Sequence, residues 1–238
     1  MPRRQDQPFT SSLADQGWRA DTGLKSAVQW FFYDFEFAVK AQAISSRHSE
    51  IPEVNNFVTD PRGYATVVQY LARNISEKIR TGTIVTEIKY DSKGVQVKTK
   101  GGHLYKAKYA LCTFSTGVLV SDLVKFEPEL PGWKKEAINK IPQAYYTHIS
   151  VQFPTAFWED NTFLLNAGQV HEEYPLVYNL NKKGFHPGSN ILIFSAIDDD
   201  SLRVENQAEN ATIEEIMRAL NRMYPAISIP RPTGTCKV

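Results

Sequence analysis

A few side chains in this sequence combine a chemical capacity with a spacing that would aim it. Glu36 follows Phe32 by four residues and Val28 by eight, on what an α-helix from Leu24 to Phe37 would make a single face. A carboxylate on an apolar face is costly unless it meets a cation or a donor. Glu36 therefore either receives a cationic ligand or, near a helix end, reaches solvent or an internal lysine. Tyr146 and His148 are two apart in an alternating stretch, so they share one strand face with side chains ~6.6 Å apart. Ser150 and Gln152 continue that polar face. The pair forms either one wall of a site or an ordinary solvated strand face. His148 can donate a hydrogen bond, and near neutral pH it is mostly uncharged unless its pKa is raised.

Other arrangements that could do chemistry are missing. His48, His103, His171 and His186 are scattered and show no metal-ligand spacing, so no metal is expected. Asp198, Asp199 and Asp200 precede a helical pattern, and a solvated helix N-terminus explains them better than a metal site does. No Ser-His-Asp or Cys-His arrangement emerges. Among the 13 glycines there is no Gly-x-Gly-x-x-Gly turn. A dinucleotide fold needs that turn to bring backbone and a helix N-terminus against a pyrophosphate.

The elements that would position these residues follow from pattern. Leu24 to Phe37 reads as a helix with aromatics all round its axis, hence buried on most sides. A polar linker, Gln42 to Asn56, follows. Asp60-Pro61 reads as a helix cap with a first-turn proline, and Val67, Leu71, Ile75 and Ile79 make the apolar line of that helix. A strand meander comes next: Thr83 to Tyr90, Val95 to Thr99 after a turn at Asp91 to Gly94, and His103 to Lys106 after Gly101-Gly102. Tyr109 to Thr113 is a continuous apolar run suited to a sheet covered on both faces, with Cys112 as a small core residue. Trp133 to Lys140 reads as a short helix. Strands follow at Tyr146 to Phe153, Phe163 to Leu165, Leu176 to Leu180 and Ile191 to Ile197. Thr212 and Glu215 read as a capping box that opens a last helix striped by Ile213, Ile216, Met217 and Leu220. After Pro225 no further element is expected.

The totals bound the function class. The 238 residues carry a formal net charge of +1 and no block of Lys and Arg, so no nucleic-acid partner is expected. No apolar run approaches the ~20 residues of a membrane span, and the polar start shows no signal core. Compartment and oligomeric state leave no trace in the sequence.

Several phrases in register resemble the polyamine oxidase branch of the flavin-containing amine oxidases: Phe32-Tyr33-Asp34-Phe35-Glu36-Phe37-Ala38, Asp60-Pro61-Arg62-Gly63-Tyr64, Val85-Thr86-Glu87-Ile88-Lys89-Tyr90, Ser115-Thr116-Gly117-Val118-Leu119, and Tyr146-Thr147-His148-Ile149 before Phe153-Pro154 and Phe157-Trp158. The resemblance implies a mixed α/β and α+β fold: part of a flavin-domain sheet, plus a substrate domain with a mixed sheet flanked by helices. It divides the chain into a substrate-domain helical segment at 1–55, a partial FAD-binding domain at 56–125 and a truncated substrate-binding domain at 126–238. It implies FAD-dependent oxidation of an amine, with polyamines the expected substrates. A hydride leaves the carbon beside a neutral amine nitrogen for the flavin, the imine is hydrolysed, and oxygen takes the electrons to give hydrogen peroxide.

The resemblance also implies residue roles. Glu36 matches an acid that lines a substrate tunnel and attracts a cationic amine. Phe35 and Phe37 flank it and either line the same tunnel or pack in the core. Residues one apart on a helix diverge, so both can share the direction of Glu36 only if the helix ends there. Tyr146 matches a pocket residue. His148 stands where the family usually has a lysine that holds a water against the flavin, and a missing cation there bears on reoxidation by oxygen. Val85 matches a position whose backbone binds the adenine side of FAD. Without the phosphate-binding turn, the chain alone is expected to hold FAD weakly or not at all, to be inactive and to expose apolar strand edges. The alternative is a remnant that binds amines or a protein without redox chemistry.

Overall fold

The structure, a computed structural model, describes residues 6–49, 58–141, 143–169 and 173–238. His171 and part of the expected linker lie outside them. The chain divides into two compact units, Met1–Tyr64 with Ala144–Val238, and Ala65–Gln143.

The first unit opens with α1 (Phe9–Asp15) and α2 (Gly23–Gln29). The Thr22 hydroxyl caps α2 by accepting the Lys25 N–H at 3.3 Å. Gly23 is required by contact: a Cβ there would sit 2.1 Å from the Ala167 carbonyl oxygen. The expected continuous helix is interrupted. Trp30–Asp34 forms a π turn, and only then does α3 (Phe35–Phe37) resume α geometry. A π turn takes one residue more than an α turn, so the line Val28, Phe32, Glu36 is broken. Phe32 is 50% exposed and Leu24 58%, so the helix is not buried on most sides. Ala38, in the left-handed region at φ 53°, stops the helix directly after Phe37. That conformation is unusual for a residue with a Cβ. Asp60 does not cap a helix either. It closes a turn by accepting the Arg62 N–H at 2.9 Å.

The second unit begins with α4 (Ala65–Ala72). The helix carries only Val67 and Leu71 of the expected apolar line, because it ends before Ile75 and Ile79, and the line is exposed, Leu71 at 71%. Strands β1 (Val85–Asp91), β2 (Gly94–Thr99) and β3 (Leu104–Ala107) form the expected meander. Helix α5 (Thr116–Val120), strand β4 (Lys125–Glu127) and helix α6 (Gly132–Asn139) complete the unit. The sheet runs β3-β2-β1-β4, with β4 parallel to β1. Tyr109 to Thr113 is not a strand. Leu111 is 92% exposed and Cys112 is exposed as well, because no strand among the described residues flanks the run.

The chain then returns to the first unit with β5 (Tyr146–Gln152), β6 (Phe163–Leu165), β7 (Leu176–Asn179), β8 (Ile191–Ile197), α7 (Asp198–Asn206), α8 (Glu209–Met223) and β9 (Gly234–Lys237). The sheet is antiparallel in the order β6-β7-β8-β5-β9. One face is the core: Ile149, Val151, Leu164, Val177, Leu192 and Phe194 pack with Val204, Ile216 and Leu220 of α7 and α8. Burying each such side chain fully contributes about 1.5–3 kcal/mol.

Two further expectations change here. Strand β9 continues the sheet past Pro225, and the Lys237 ammonium donates to the carbonyls of Val204 (2.7 Å) and Gln207 (3.2 Å) at the end of α7. Those carbonyls lack helical partners, which is what draws a lysine there. Thr212 and Glu215 do not form a capping box, because α8 starts at Glu209. Instead the Gln207 amide donates to both, at 2.8 and 3.2 Å, and Arg203 donates to Glu215 at 2.9 Å.

Candidate functional site

The opposite face of the five-stranded sheet carries the candidate site. Alternation along β5 turns Thr147, Ile149 and Val151 into the core, so Tyr146, His148 and Ser150 face the other way. Register supplies their neighbours: His148 lies opposite Ser195 of β8, and Phe163 of β6 lies opposite Tyr178 of β7. The π turn and α3 cross this face. Phe35 packs edge-on against Tyr146 with ring centroids 5.3 Å apart and reaches Tyr178 at 5.7 Å. Phe31 stacks on Phe163 at 5.2 Å, and Tyr146 lies 4.7 Å from the His148 ring. The result is a cluster of aromatic rings on this face of the sheet, the slot.

Burial dominates the electrostatics of the slot, and Glu36 adds to it. Its charge raises the pKa of both neighbouring phenols. Burial first, and Glu36 second, push Tyr178 up to about 12. Tyr146 is pushed well above the usual phenol range, chiefly by burial, then by Tyr178; a hydrogen bond with Ser195 opposes this and Glu36 adds to it. Among the described residues Glu36 forms no ion pair. His148 keeps an exposed edge, yet protein packed around its ring holds its pKa below the ordinary value and favours neutral imidazole. Its Nδ1 lies 3.1 Å from the Ser195 hydroxyl.

Of the residues singled out in the sequence, the structure brings Phe35, Glu36, Tyr146 and His148 together. Phe37 is half-buried and makes no ring contact among the described residues. Val85 lies in the other compact unit, half-buried at the start of β1 opposite Thr99. Sequence reasoning missed Tyr178 and Ser195. The signal for both was alternation: each is a polar residue next to a core position, Val177 or Phe194, and so on the face opposite the core. Chemistry rather than volume marks the slot. Cavities lie elsewhere, one of about 540 Å³ at the Asp91 to Gly94 hairpin and one of about 420 Å³ beside β6 and the end of α8. Among the described residues no cluster of His, Cys, Asp and Glu could hold a metal, and no helix is long and apolar enough to cross a membrane.

A family model described as flavin containing amine oxidoreductase matches residues 11–238. Polyamine oxidase 7 of Oryza sativa subsp. japonica is 36% identical over 226 residues, covering 87% of this chain and 47% of the relative. Polyamine oxidase 1 of Zea mays is 33% identical over 233 residues, covering 89% and 46%. The chain thus spans about half the length of these curated relatives. A putrescine oxidase structure, wild type bound to putrescine, superposes with a TM-score of 0.73 at 15% identity, covering 97% of this chain and 53% of that one. At that identity the likeness speaks for the fold.

Proposed function

Since the chain belongs to the flavin-containing amine oxidoreductase family, we propose that its aromatic slot holds the cationic end of an amine, with polyamines the substrate class, for oxidation of a carbon–nitrogen bond. The observation that carries this is Glu36: a carboxylate set among Phe35, Tyr146 and Tyr178 with no ion-pair partner among the described residues. An ammonium fits between a carboxylate and ring faces, by charge and by cation–π attraction. Only a neutral amine has the electron pair that would let hydride leave the neighbouring carbon, and FAD, where bound, would supply the acceptor. His148, held neutral, accepts that proton at the ring nitrogen not engaged by Ser195. Tyr146 and Phe35 orient the amine and keep water from it.

FAD is the cofactor the family implies, and the residues present fit it only in part. Val85 offers backbone at the start of β1 for the adenine side. No glycine-rich turn among the 13 glycines offers a pyrophosphate cradle. No step is therefore routed through the flavin. The proposal assigns amine recognition to these residues and holds that residues 1–238 alone retain FAD weakly or not at all. A second reading, an amine-binding module without redox chemistry, draws on His148, held neutral where the resemblance implies a cationic lysine.

The test combines calorimetric titration of the chain with putrescine and spermidine, FAD titration, and a peroxide assay with added FAD. Amine binding that Glu36→Gln weakens supports the slot assignment. Amine binding with no peroxide favours the module reading. Failure to bind any amine sinks both, and a flavin spectrum that survives purification overturns the weak-FAD claim.

A further inference from the structure

We propose that Thr147 and Lys237 are positioning residues that together mount His148 on the last turn of α7. The proposal rests on the reading that His148 lines the amine end of the slot.

The backbone of His148 is held by a reciprocal pair of bonds. Its N–H donates to the Val238 carbonyl at 2.8 Å, and the Val238 N–H donates to the His148 carbonyl at 2.9 Å. Thr147 precedes one member of this pair and Lys237 the other, and successive side chains of a strand point to opposite faces. Both therefore leave the slot face, and both meet the same turn. Thr147 Oγ1 lies 3.1 Å from a carboxylate oxygen of Glu205 and 2.6 Å from the Ser201 hydroxyl. The Lys237 ammonium donates to the carbonyls of Val204 at 2.7 Å, Gln207 at 3.2 Å and Glu205 at 3.4 Å.

Counting hydrogens fixes the direction of the Thr147 bonds. A threonine hydroxyl has one hydrogen to give, and a carboxylate only accepts. The Thr147 hydrogen goes to Glu205, and Ser201 donates to Thr147. Thr147 is 0% exposed and Ser201 1%, so water replaces neither partner. A buried hydroxyl left without a partner is costly, which holds α7 and β5 in this one relation.

The start of α7 is tied to the same strand: the Asp198 N–H donates to the Tyr145 carbonyl at 3.0 Å. Helix α7 thus grips β5 on either side of Tyr146. Strand β9 is the weaker partner. It is four residues long and ends the order β6-β7-β8-β5-β9 among the described residues. Short terminal strands open locally at little cost unless something ties them down. Lys237 is that tie, and without it His148 loses the bonds on its β9 side while the β8 side stays.

The experiment is amide hydrogen exchange, with calorimetric titration of spermidine, on the chain, Lys237→Met, Thr147→Val and the conservative variants Lys237→Arg and Thr147→Ser. In Lys237→Met and Thr147→Val the His148 amide is expected to exchange about tenfold faster, the order of one charge-assisted hydrogen bond lost. Amides of the β7–β8 ladder are expected to keep their rates, and the conservative variants to restore most of the protection. Lys237→Met decides the matter if Thr147→Val does not fold. An unchanged His148 rate in Lys237→Met overturns the proposal. So does a rise shared by the β7–β8 amides, which would mean a general loss of stability. Spermidine affinity is expected to fall about tenfold alongside the His148 protection, and unchanged affinity in a variant whose His148 amide has opened also overturns the positioning role. A selective rise at His148 in a protein whose wild type binds no spermidine upholds the mount and sinks the amine reading, so the two fail separately.

Discussion

The Glu36 carboxylate and the Tyr178 phenol sit on different elements, α3 and β7, yet the charge of the first reaches the second: burial, and after it Glu36, push Tyr178 up to about 12. The pair brackets Phe35, whose ring lies 5.7 Å from that of Tyr178. An ammonium entering between them would relieve the charge that Tyr178 now feels.

Replacing Glu36 by Gln should therefore do two things. The Tyr178 pKa should fall part of the way toward the ordinary phenol value, since burial remains. Affinity for a diamine should fall about tenfold, the order expected for losing one partly desolvated charge pair. Ultraviolet titration of tyrosinate and calorimetry read the two effects separately. A loss of affinity with no change in tyrosine titration would remove Glu36 from the slot.

His148 gives a pH dependence with a definite sign. Its folded pKa lies below the ordinary 6.5, so the unfolded chain binds more protons as pH falls through 6.5. The stability associated with neutral His148 is fully present above 6.5 and is lost as pH drops through and below it. Amine binding that uses His148 as proton acceptor should weaken over the same interval. Melting temperatures of the wild type and His148→Ala against pH check this: their difference should be constant above pH 7 and change only on the acid side.

Glu215 behaves oppositely in origin. Burial pushes its carboxyl up, but hydrogen bonds from Arg203, Gln207 and Tyr174 outweigh burial and hold the pKa below 4.5. The network contributes stability above 4.5, and this is lost as pH falls through the lowered value. Glu215→Gln should cost about 1 kcal/mol at neutral pH, screening at the 39% exposed Arg203 side chain included. Denaturant titrations at neutral pH and near pH 3 should show the gap closing at the lower pH.

Two apolar truncations should differ sharply. Phe194→Ala removes a fully buried ring between β5 and β7 and should cost about 3–5 kcal/mol. Leu111→Ala, at 92% exposure, should change stability by less than about 0.5 kcal/mol. A large cost at Leu111 would mean that the run from Tyr109 to Thr113 is covered in solution.

Alternation was the most legible signal in the sequence. The polar face of Tyr146 and His148 and the hairpins of the second unit followed from period-2 patterns and turn residues, because a strand's face depends only on its own residues. What depends on long-range partners was hidden. Tyr109 to Thr113 carries a strand's composition, but no strand pairs with it among the described residues. Thr212 and Glu215 have capping-box spacing but are drawn to Gln207 and Arg203. Ser195 gains its role only from register with His148. The Lys237 ammonium finds the end of α7, which turns a tail with no expected structure into an edge strand.

The π turn at Trp30–Asp34 has an engineering meaning. It behaves as a one-residue insertion in a helix that would otherwise run unbroken. Deleting one residue there would restore a regular ladder and remove an irregular turn. It would also swing everything downstream by about 100°, the angle one residue subtends in an α-helix. Glu36 would then leave the face it shares with Tyr146. A shorter, more regular chain would keep its sheet and core while its single unpaired slot carboxylate pointed at the wrong surface.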